Sequence, residues 1–126
     1  MDKSNIKILI FGGGAIGSHL TYCLSSNKTK VYTICRNKHY KYIKQKGLRL
    51  KIFSNDVLKK EITLKDTKKI VFLNNLDKIK KFKFDYIFIT IKLKDVKKKL
   101  LKKILQHADK NTAIIPPCTE LPYWWF

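Results

Sequence analysis

The chain is poor in cysteine, and it lacks both a long apolar run and a signal-like leader. Its three cysteines, Cys23, Cys35 and Cys118, show no spacing typical of a metal site or a redox pair, which predicts reduced thiols and a cytoplasmic location. No apolar run approaches the length of a membrane span, and no signal-peptide pattern precedes the first apolar segment. We therefore expect no membrane partner and one domain with a buried core across the 126 residues.

Arginine is also scarce, so the basic excess of the chain is almost all lysine. The formal net charge is +19 at pH 7, yet arginine occurs only at Arg36 and Arg49. Bidentate recognition of phosphates and base edges favours arginine, and the lysines are spread along the chain rather than gathered in one block. We expect no specific nucleic-acid partner, although the lysine-rich segment 94–103 leaves a basic nucleic-acid binder as a further hypothesis.

An apolar segment near the N-terminus runs into a glycine-rich turn and then into a helical pattern. Ile6–Phe11 predicts a strand, and residues 15–26 carry apolar side chains at helical spacing. Between them, Gly12 would permit a tight turn, Gly14 the close approach of a pyrophosphate, and Gly17 tight packing of helix on strand. This G-x-G-x-x-G context predicts dinucleotide binding at the helix N-terminus. The candidate binding residues of the turn are Gly12, Gly13, Gly14, Ala15, Ile16 and Gly17.

The residues after the second predicted strand, 30–35, indicate which dinucleotide is bound. NAD-specific sites place an Asp or Glu there to accept hydrogen bonds from the ribose hydroxyls. Here the strand is followed by Arg36-Asn37-Lys38, and the chain has no acidic residue between Asp2 and Asp56. A 2′-phosphate would meet cations rather than a repelling carboxylate. The sequence therefore predicts NADP rather than NAD.

The remaining pattern predicts an α/β fold: a Rossmann-like, mostly parallel sheet with helices on both faces and an antiparallel hairpin at its edge. A second helix is expected between a capping Asn37 and a C-terminal Gly47, and a third along the apolar stripe of 93–105. A helical turn is expected at Leu76–Ile79. The further predicted strands are 48–53 and 57–64, which form the hairpin, and 69–73, 84–92 and 112–115.

Four segments of the chain, taken in order and at their spacing, carry a more specific pattern. They are residues 7–18, 34–36, 46–50 and 84–92. Many dehydrogenases share the glycine motif, but its combination with Cys35-Arg36 and with Thr90-x-Lys92 at a strand end is more restrictive. On these residues the chain resembles the N-terminal domain of the ketopantoate reductases (2-dehydropantoate 2-reductases).

The resemblance implies NADPH-dependent reduction of 2-dehydropantoate, or a similar 2-keto acid, to pantoate on the route to pantothenate and coenzyme A. It implies that Arg36 meets the 2′-phosphate and that Lys92 lies beside the nicotinamide and the substrate. The family usually has an Asn-Gly pair near the nicotinamide, and Thr119 stands about where that asparagine would fall. The family's general acid belongs to a second, helical domain, so we name no catalytic residue and no metal ligand in this chain.

The predicted organisation is one NADP-binding Rossmann domain over residues 1–126, with 116–126 as the start of a connection to a catalytic domain. Four consecutive aromatic residues at 123–126 favour a segment that packs against further chain or a partner. The expected partners are a small 2-keto acid and the missing domain or a separately encoded half, with a homodimer left open. The alternative function is a stand-alone nucleotide-sensing Rossmann module without catalysis. Such modules usually end their second strand in an acid, so Arg36 is the residue that argues against this alternative.

Overall fold

The structure, a computed structural model, describes residues 5–117 and consists of seven strands and three α-helices within that range. The strands are β1 (Ile6–Phe11), β2 (Thr29–Ile34), β3 (Leu48–Ser54), β4 (Val57–Leu64), β5 (Ile70–Leu73), β6 (Tyr86–Ile89) and β7 (Ala113–Ile115). The helices are α1 (Ala15–Leu24), α2 (Asn37–Lys46) and α3 (Lys98–Leu105), and short 3-10 turns occupy Leu76–Ile79 and Leu93–Asp95. The elements follow the predicted order along the chain.

Five parallel strands form the main sheet in the order β5-β2-β1-β6-β7. β1 lies in the middle because its residues are apolar on both faces: Ile8, Leu9 and Ile10 are all buried. It pairs with β2 along its whole length and with β6 over its last four residues, from Ile8 to Phe11. This topology confirms the predicted Rossmann-like fold.

Helices cover both faces of the sheet, as predicted. On one face, Ile8, Ile10 and Val31 pack against α1, and the hydroxyls of Thr21 and Thr33 lie 2.7 Å apart in a buried hydrogen bond. On the other face, α3 contributes apolar side chains to the largest core cluster. Members of that cluster include Leu9, Ile87, Ile89, Leu101 and Ile104. The alternation of side chains along each strand therefore places apolar residues in a core on each face of the sheet.

The antiparallel hairpin is present, but it forms a two-stranded sheet of its own and not the edge of the parallel sheet. The alternating apolar residues of β3 and β4 pack against Ile43 of α2 and against Ile70 and Phe72 of β5. This packing buries one face of the hairpin, so side-chain contact rather than edge hydrogen bonding holds it in place. The predicted position at the sheet edge is therefore wrong.

Three helix boundaries also differ from the predictions. α1 ends at Leu24 because Ser25 is in an extended conformation. Asn37 is the first residue of α2 and not its cap; Arg36 occupies the cap position, and Gly47 ends the helix as predicted. The stripe of 93–105 is divided, because Val96 has a non-helical backbone that places its side chain in the core. Within residues 5–117, no helix combines the length and apolar character that crossing a membrane requires.

Candidate functional site

The carboxyl ends of four parallel strands lie side by side at one edge of the main sheet. Phe11 of β1 is the register partner of both Ile34 of β2 and Ile89 of β6, and Ile34 is the partner of Leu73 of β5. The strand order reverses between β1 and β6, which in open α/β sheets is where ligands bind. Residues that follow these four strands therefore share one crevice.

A cleft of about 790 Å³ occupies this edge of the sheet. It brings together the glycine turn and the residues that follow β2, β5 and β6. Its polar and glycine lining consists of Gly12, Gly13, Gly14, Cys35, Arg36, His39, Asn74, Thr90, Lys92, Lys94 and Asp95. Of the predicted binding residues, the cleft therefore contains Gly12, Gly13, Gly14, Arg36 and Lys92. Ala15, Ile16 and Gly17 follow the cleft-lining glycines in α1, while Thr119 lies outside the described residues.

The first glycine of the motif makes a turn that other residues adopt only with strain. Gly12 has a φ of +126°, and a Cβ atom there would lie 2.6 Å from the hydroxyl oxygen of Thr90. Its N–H donates to the carbonyl of Ile34 at 3.1 Å, which fixes the turn to β2. The Thr90 hydroxyl donates to the Gly12 carbonyl at 2.8 Å, which fixes the turn to the end of β6.

The other two glycines of the motif, Gly14 and Gly17, have different surroundings and different roles. A Cβ atom on Gly17 would lie 1.7 Å from the carbonyl oxygen of Gly12, so only glycine lets α1 pack this closely on the turn. A Cβ atom on Gly14 would meet no heavy atom within 4 Å. Packing therefore requires Gly17 but not Gly14, and the small size of Gly14 keeps open a space that belongs to the cleft.

The start of α1 is suited to an anion. Gly14 is its N-cap, no side chain caps the first turn, and that turn contains no acidic residue. Ala15 and Ile16 are exposed there, with Ile16 at 53%. Unsatisfied N–H groups and the positive end of the helix dipole therefore meet the open space beside Gly14. The pyrophosphate of a dinucleotide fits this combination of donors, dipole and missing side chain.

The charges that line the cleft are mainly positive. Arg36, Lys92 and Lys94 contribute cations, and Asp95 is the acidic residue among the lining side chains. Arg36 and Lys92 are both exposed, and neither forms an ion pair with any residue in the described range 5–117. The guanidinium and ammonium groups are therefore available to phosphate or carboxylate groups of a ligand.

A family model described as "Ketopantoate reductase PanE/ApbA" matches residues 8–117, which is most of the chain. The chain belongs to the ketopantoate reductase family. Among curated proteins, none matches it significantly. The matched range includes every element from β1 to β7 apart from the first two residues of β1.

Solved structures of ketopantoate reductases share this fold. One from Ralstonia solanacearum aligns over 98% of the chain with a TM-score of 0.68 and 18% identity. One from Ralstonia eutropha aligns over 86% with a TM-score of 0.61 and 19% identity, and a 2-dehydropantoate 2-reductase from Methylococcus capsulatus aligns over 88% with a TM-score of 0.61 and 22% identity. The chain spans about a third of each solved structure, between 33% and 35% of its length.

Six polar residues that line the cleft were not among the predicted binding residues: Cys35, His39, Asn74, Thr90, Lys94 and Asp95. The Cys35 sulfur lies 2.3 Å from where a Cβ atom of Gly13 would be, and burial raises the pKa of this thiol from 9.0 to about 11. Cys35 therefore remains protonated and packs against the glycine turn. For Asn74 the available signal was its position directly after a predicted strand, at the edge where ligands bind.

Proposed function

We propose that this chain is the NADP-binding part of a reductase that converts 2-dehydropantoate, or a similar 2-keto acid, to the corresponding 2-hydroxy acid. The observation that supports this proposal most strongly is the single cleft shared by the glycine turn, Arg36 and Lys92. Family membership supports the same reaction class. The domain proposed for this role extends over the whole chain, 1–126, with 116–126 leading toward the rest of the enzyme.

Each end of the cleft has a proposed role in holding the cofactor. The N–H groups at the start of α1 bind the pyrophosphate beside Gly14, where no side chain blocks the approach of backbone to phosphate. Arg36, after β2, binds the 2′-phosphate with its guanidinium group, and no acidic residue precedes Asp56 in β1, α1, β2 or α2 to repel that phosphate. This charge distribution favours NADP over NAD.

The nicotinamide end of the cofactor is proposed to lie beside β6, where Lys92 follows the strand. When bound, NADPH supplies the hydride that reduces the 2-keto group. Lys92 is an exposed cation without an ion-pair partner among residues 5–117, so it is placed to attract the substrate carboxylate or a cofactor phosphate. Thr90 orients this strand end through its hydrogen bonds to the carbonyls of Phe11 and Gly12.

The proton that completes the reduction is proposed to come from protein beyond this chain. The chain spans about a third of the ketopantoate reductases it matches, so the remaining two thirds of such an enzyme would supply the general acid and most of the substrate pocket. The proposed partners are accordingly a small 2-keto acid and that further domain, in one chain or separately encoded.

The proposal is tested by combining equilibrium dialysis of the isolated chain against NADPH with an assay of NADPH oxidation in the presence of 2-dehydropantoate. We expect NADPH to bind and turnover to be slow or absent. Failure of the chain to bind any dinucleotide would overturn the cofactor assignment. Full reductase activity from the chain alone would overturn the proposal that its proton donor lies elsewhere.

A further inference from the structure

Asn74 lies where the adenosine end of a dinucleotide would be expected. It directly follows β5, which is joined to the end of β2 by a hydrogen bond from the Cys35 N–H to the Leu73 carbonyl at 2.7 Å. It lines the same cleft as Arg36. Arg36, which is proposed to bind the 2′-phosphate, and Asn74 therefore follow two neighbouring strands and line the same cleft.

The amide of Asn74 is only half satisfied. Its Nδ2 donates to Oδ1 of Asn37, the first residue of α2, at 2.5 Å. Its own Oδ1 is buried and has no hydrogen-bond partner among residues 5–117, and it is the one buried side-chain polar atom in that range left in this state. Buried acceptors are rarely left without a donor, so a donor from outside the described protein is the simplest partner for this oxygen.

The chemistry of this acceptor suits an adenosine that carries a 2′-phosphate. Adenosine offers an amino group and ribose hydroxyl groups as donors. NAD-specific sites meet the ribose with a carboxylate, whose charge would repel a 2′-phosphate. A neutral amide oxygen accepts the same kind of hydrogen bond without that repulsion. Asn74 thus supplies a neutral acceptor in the cleft that Arg36 also lines.

We propose that the Asn74 carbonyl oxygen accepts a hydrogen bond from a donor at the adenosine end of the bound NADP, either the adenine amino group or a ribose hydroxyl. This inference rests on the proposed function. Because Oδ1 is shielded from water in the described arrangement, the Asn74 side chain rotates toward the cleft as the cofactor binds. The cofactor then supplies the hydrogen bond that the fold leaves unmade.

Two substitutions at Asn74 test two properties of its side chain separately: the hydrogen-bond acceptor and the absence of charge. Asn74→Ala removes the acceptor, so it is expected to weaken binding of NADPH and NADH by the same factor, about fivefold to tenfold. Its thermal midpoint should stay within a few degrees of wild type, because the variant also removes the unpartnered oxygen. Asn74→Asp keeps an acceptor but adds a negative charge beside the 2′-phosphate, so NADPH binding should weaken more than NADH binding.

Asn75→Asp is the matched control for the added charge. Asn75 is exposed, and its side chain accepts from the Asp77 N–H at 2.9 Å, a bond that aspartate also makes. This variant should change the ratio of NADPH to NADH affinity much less than Asn74→Asp does. The deamino analogue of NADPH identifies the donor: if the adenine amino group donates, wild type binds the analogue more weakly and Asn74→Ala does not distinguish it from NADPH. If a ribose hydroxyl donates, neither protein distinguishes the two compounds.

The outcomes separate this inference from the proposed function. Wild type that binds NADPH, together with an Asn74→Ala variant that binds it equally well, would overturn the role of Asn74 and leave the proposed function standing. A loss of binding that is matched by a large fall in the thermal midpoint would show a structural role and would also overturn it. Wild type that binds no dinucleotide would overturn both.

Discussion

The hydroxyl of Thr90 lies 2.8 Å from the carbonyl oxygen of Gly12 and 3.1 Å from that of Phe11. One side chain at the end of β6 therefore holds both the last residue of β1 and the first residue of the glycine turn. The two halves of the sheet, which meet where the strand order reverses, are tied together at the candidate site by this contact.

Replacing Thr90 tests how far the glycine turn depends on that contact. Thr90→Val keeps the shape of the side chain but leaves two carbonyls without this donor, so we expect a loss of about 1–2 kcal/mol in the free energy of unfolding and weaker NADPH binding. Urea unfolding and a fluorescence titration with NADPH measure the two effects. Thr90→Ser retains the hydroxyl and should stay close to wild type in both. Valine at this position without any change in binding would show that the contact does not position the turn.

Alanine substitutions at two glycines of the motif should affect different properties: stability at Gly17 and NADPH binding at Gly14. At Gly17 the added Cβ would lie 1.7 Å from the Gly12 carbonyl oxygen, so Gly17→Ala should lose about 3 kcal/mol or more of stability. At Gly14 the added Cβ meets nothing within 4 Å, so Gly14→Ala should fold with a loss of only about 1 kcal/mol or less from the weaker N-cap. The same methyl group occupies the proposed phosphate space, so NADPH binding should fall at least about tenfold.

Circular dichroism during thermal unfolding and an NADPH titration of each variant measure these effects. Gly14→Ala serves as the control for Gly17→Ala, since the substitution is the same and only the surroundings differ. Unimpaired NADPH binding by a folded Gly14→Ala protein would contradict the position proposed for the pyrophosphate.

The sequence was sufficient to predict the parallel sheet and the cleft because both depend on local patterns. An apolar run such as Ile8–Ile10 is typical of a strand that is buried on both faces of a sheet, and a glycine turn follows it directly. The carboxyl ends of parallel strands then meet at one edge, which brings Arg36 and Lys92 toward Gly12–Gly14.

Features that depend on packing at a distance were not predictable in the same way. Apolar and polar residues would alternate along the hairpin whether it joined the edge of the parallel sheet or formed a sheet of its own. Its packing against Ile43 and Phe72, which are distant in sequence from much of the hairpin, accompanies the second arrangement. Likewise, Asn37 has the side chain of a helix cap, but its oxygen accepts from Asn74, a residue distant in sequence. The contact between Asn74 and Asn37 could be seen only once β5 and α2 were placed together.

The buried thiol of Cys35 predicts a specific dependence of stability on pH. Burial raises the pKa of Cys35 in the folded protein from 9.0 to about 11, so the folded state keeps a proton that the unfolded state loses first. The resulting stabilisation is fully present below pH 9.0 and is lost as the pH rises toward about 11. Its size is about 2–3 kcal/mol when complete.

Urea unfolding of wild type and Cys35→Ala across this pH range tests the dependence. Every other side chain is common to the two proteins, so the informative quantity is the difference in the free energy of unfolding between them. We expect the advantage of wild type over Cys35→Ala to shrink by about 2–3 kcal/mol between pH 9 and pH 11. Cys23→Ala, at an exposed cysteine, is the control for the loss of a thiol outside the core. A constant difference for Cys35→Ala would contradict the raised pKa.

Arg36 provides the most direct test of the account, because its charge is proposed to select the cofactor. The measurement is the ratio of the NADPH and NADH dissociation constants for wild type, Arg36→Ala and Arg49→Ala, with Arg49 as the matched control because it lies on β3 and outside the cleft lining. We predict that wild type and Arg49→Ala bind NADPH at least about tenfold more tightly than NADH, and that Arg36→Ala binds the two with similar affinity. Equal affinity of wild type for NADH and NADPH, or an unchanged preference in Arg36→Ala, would contradict the account.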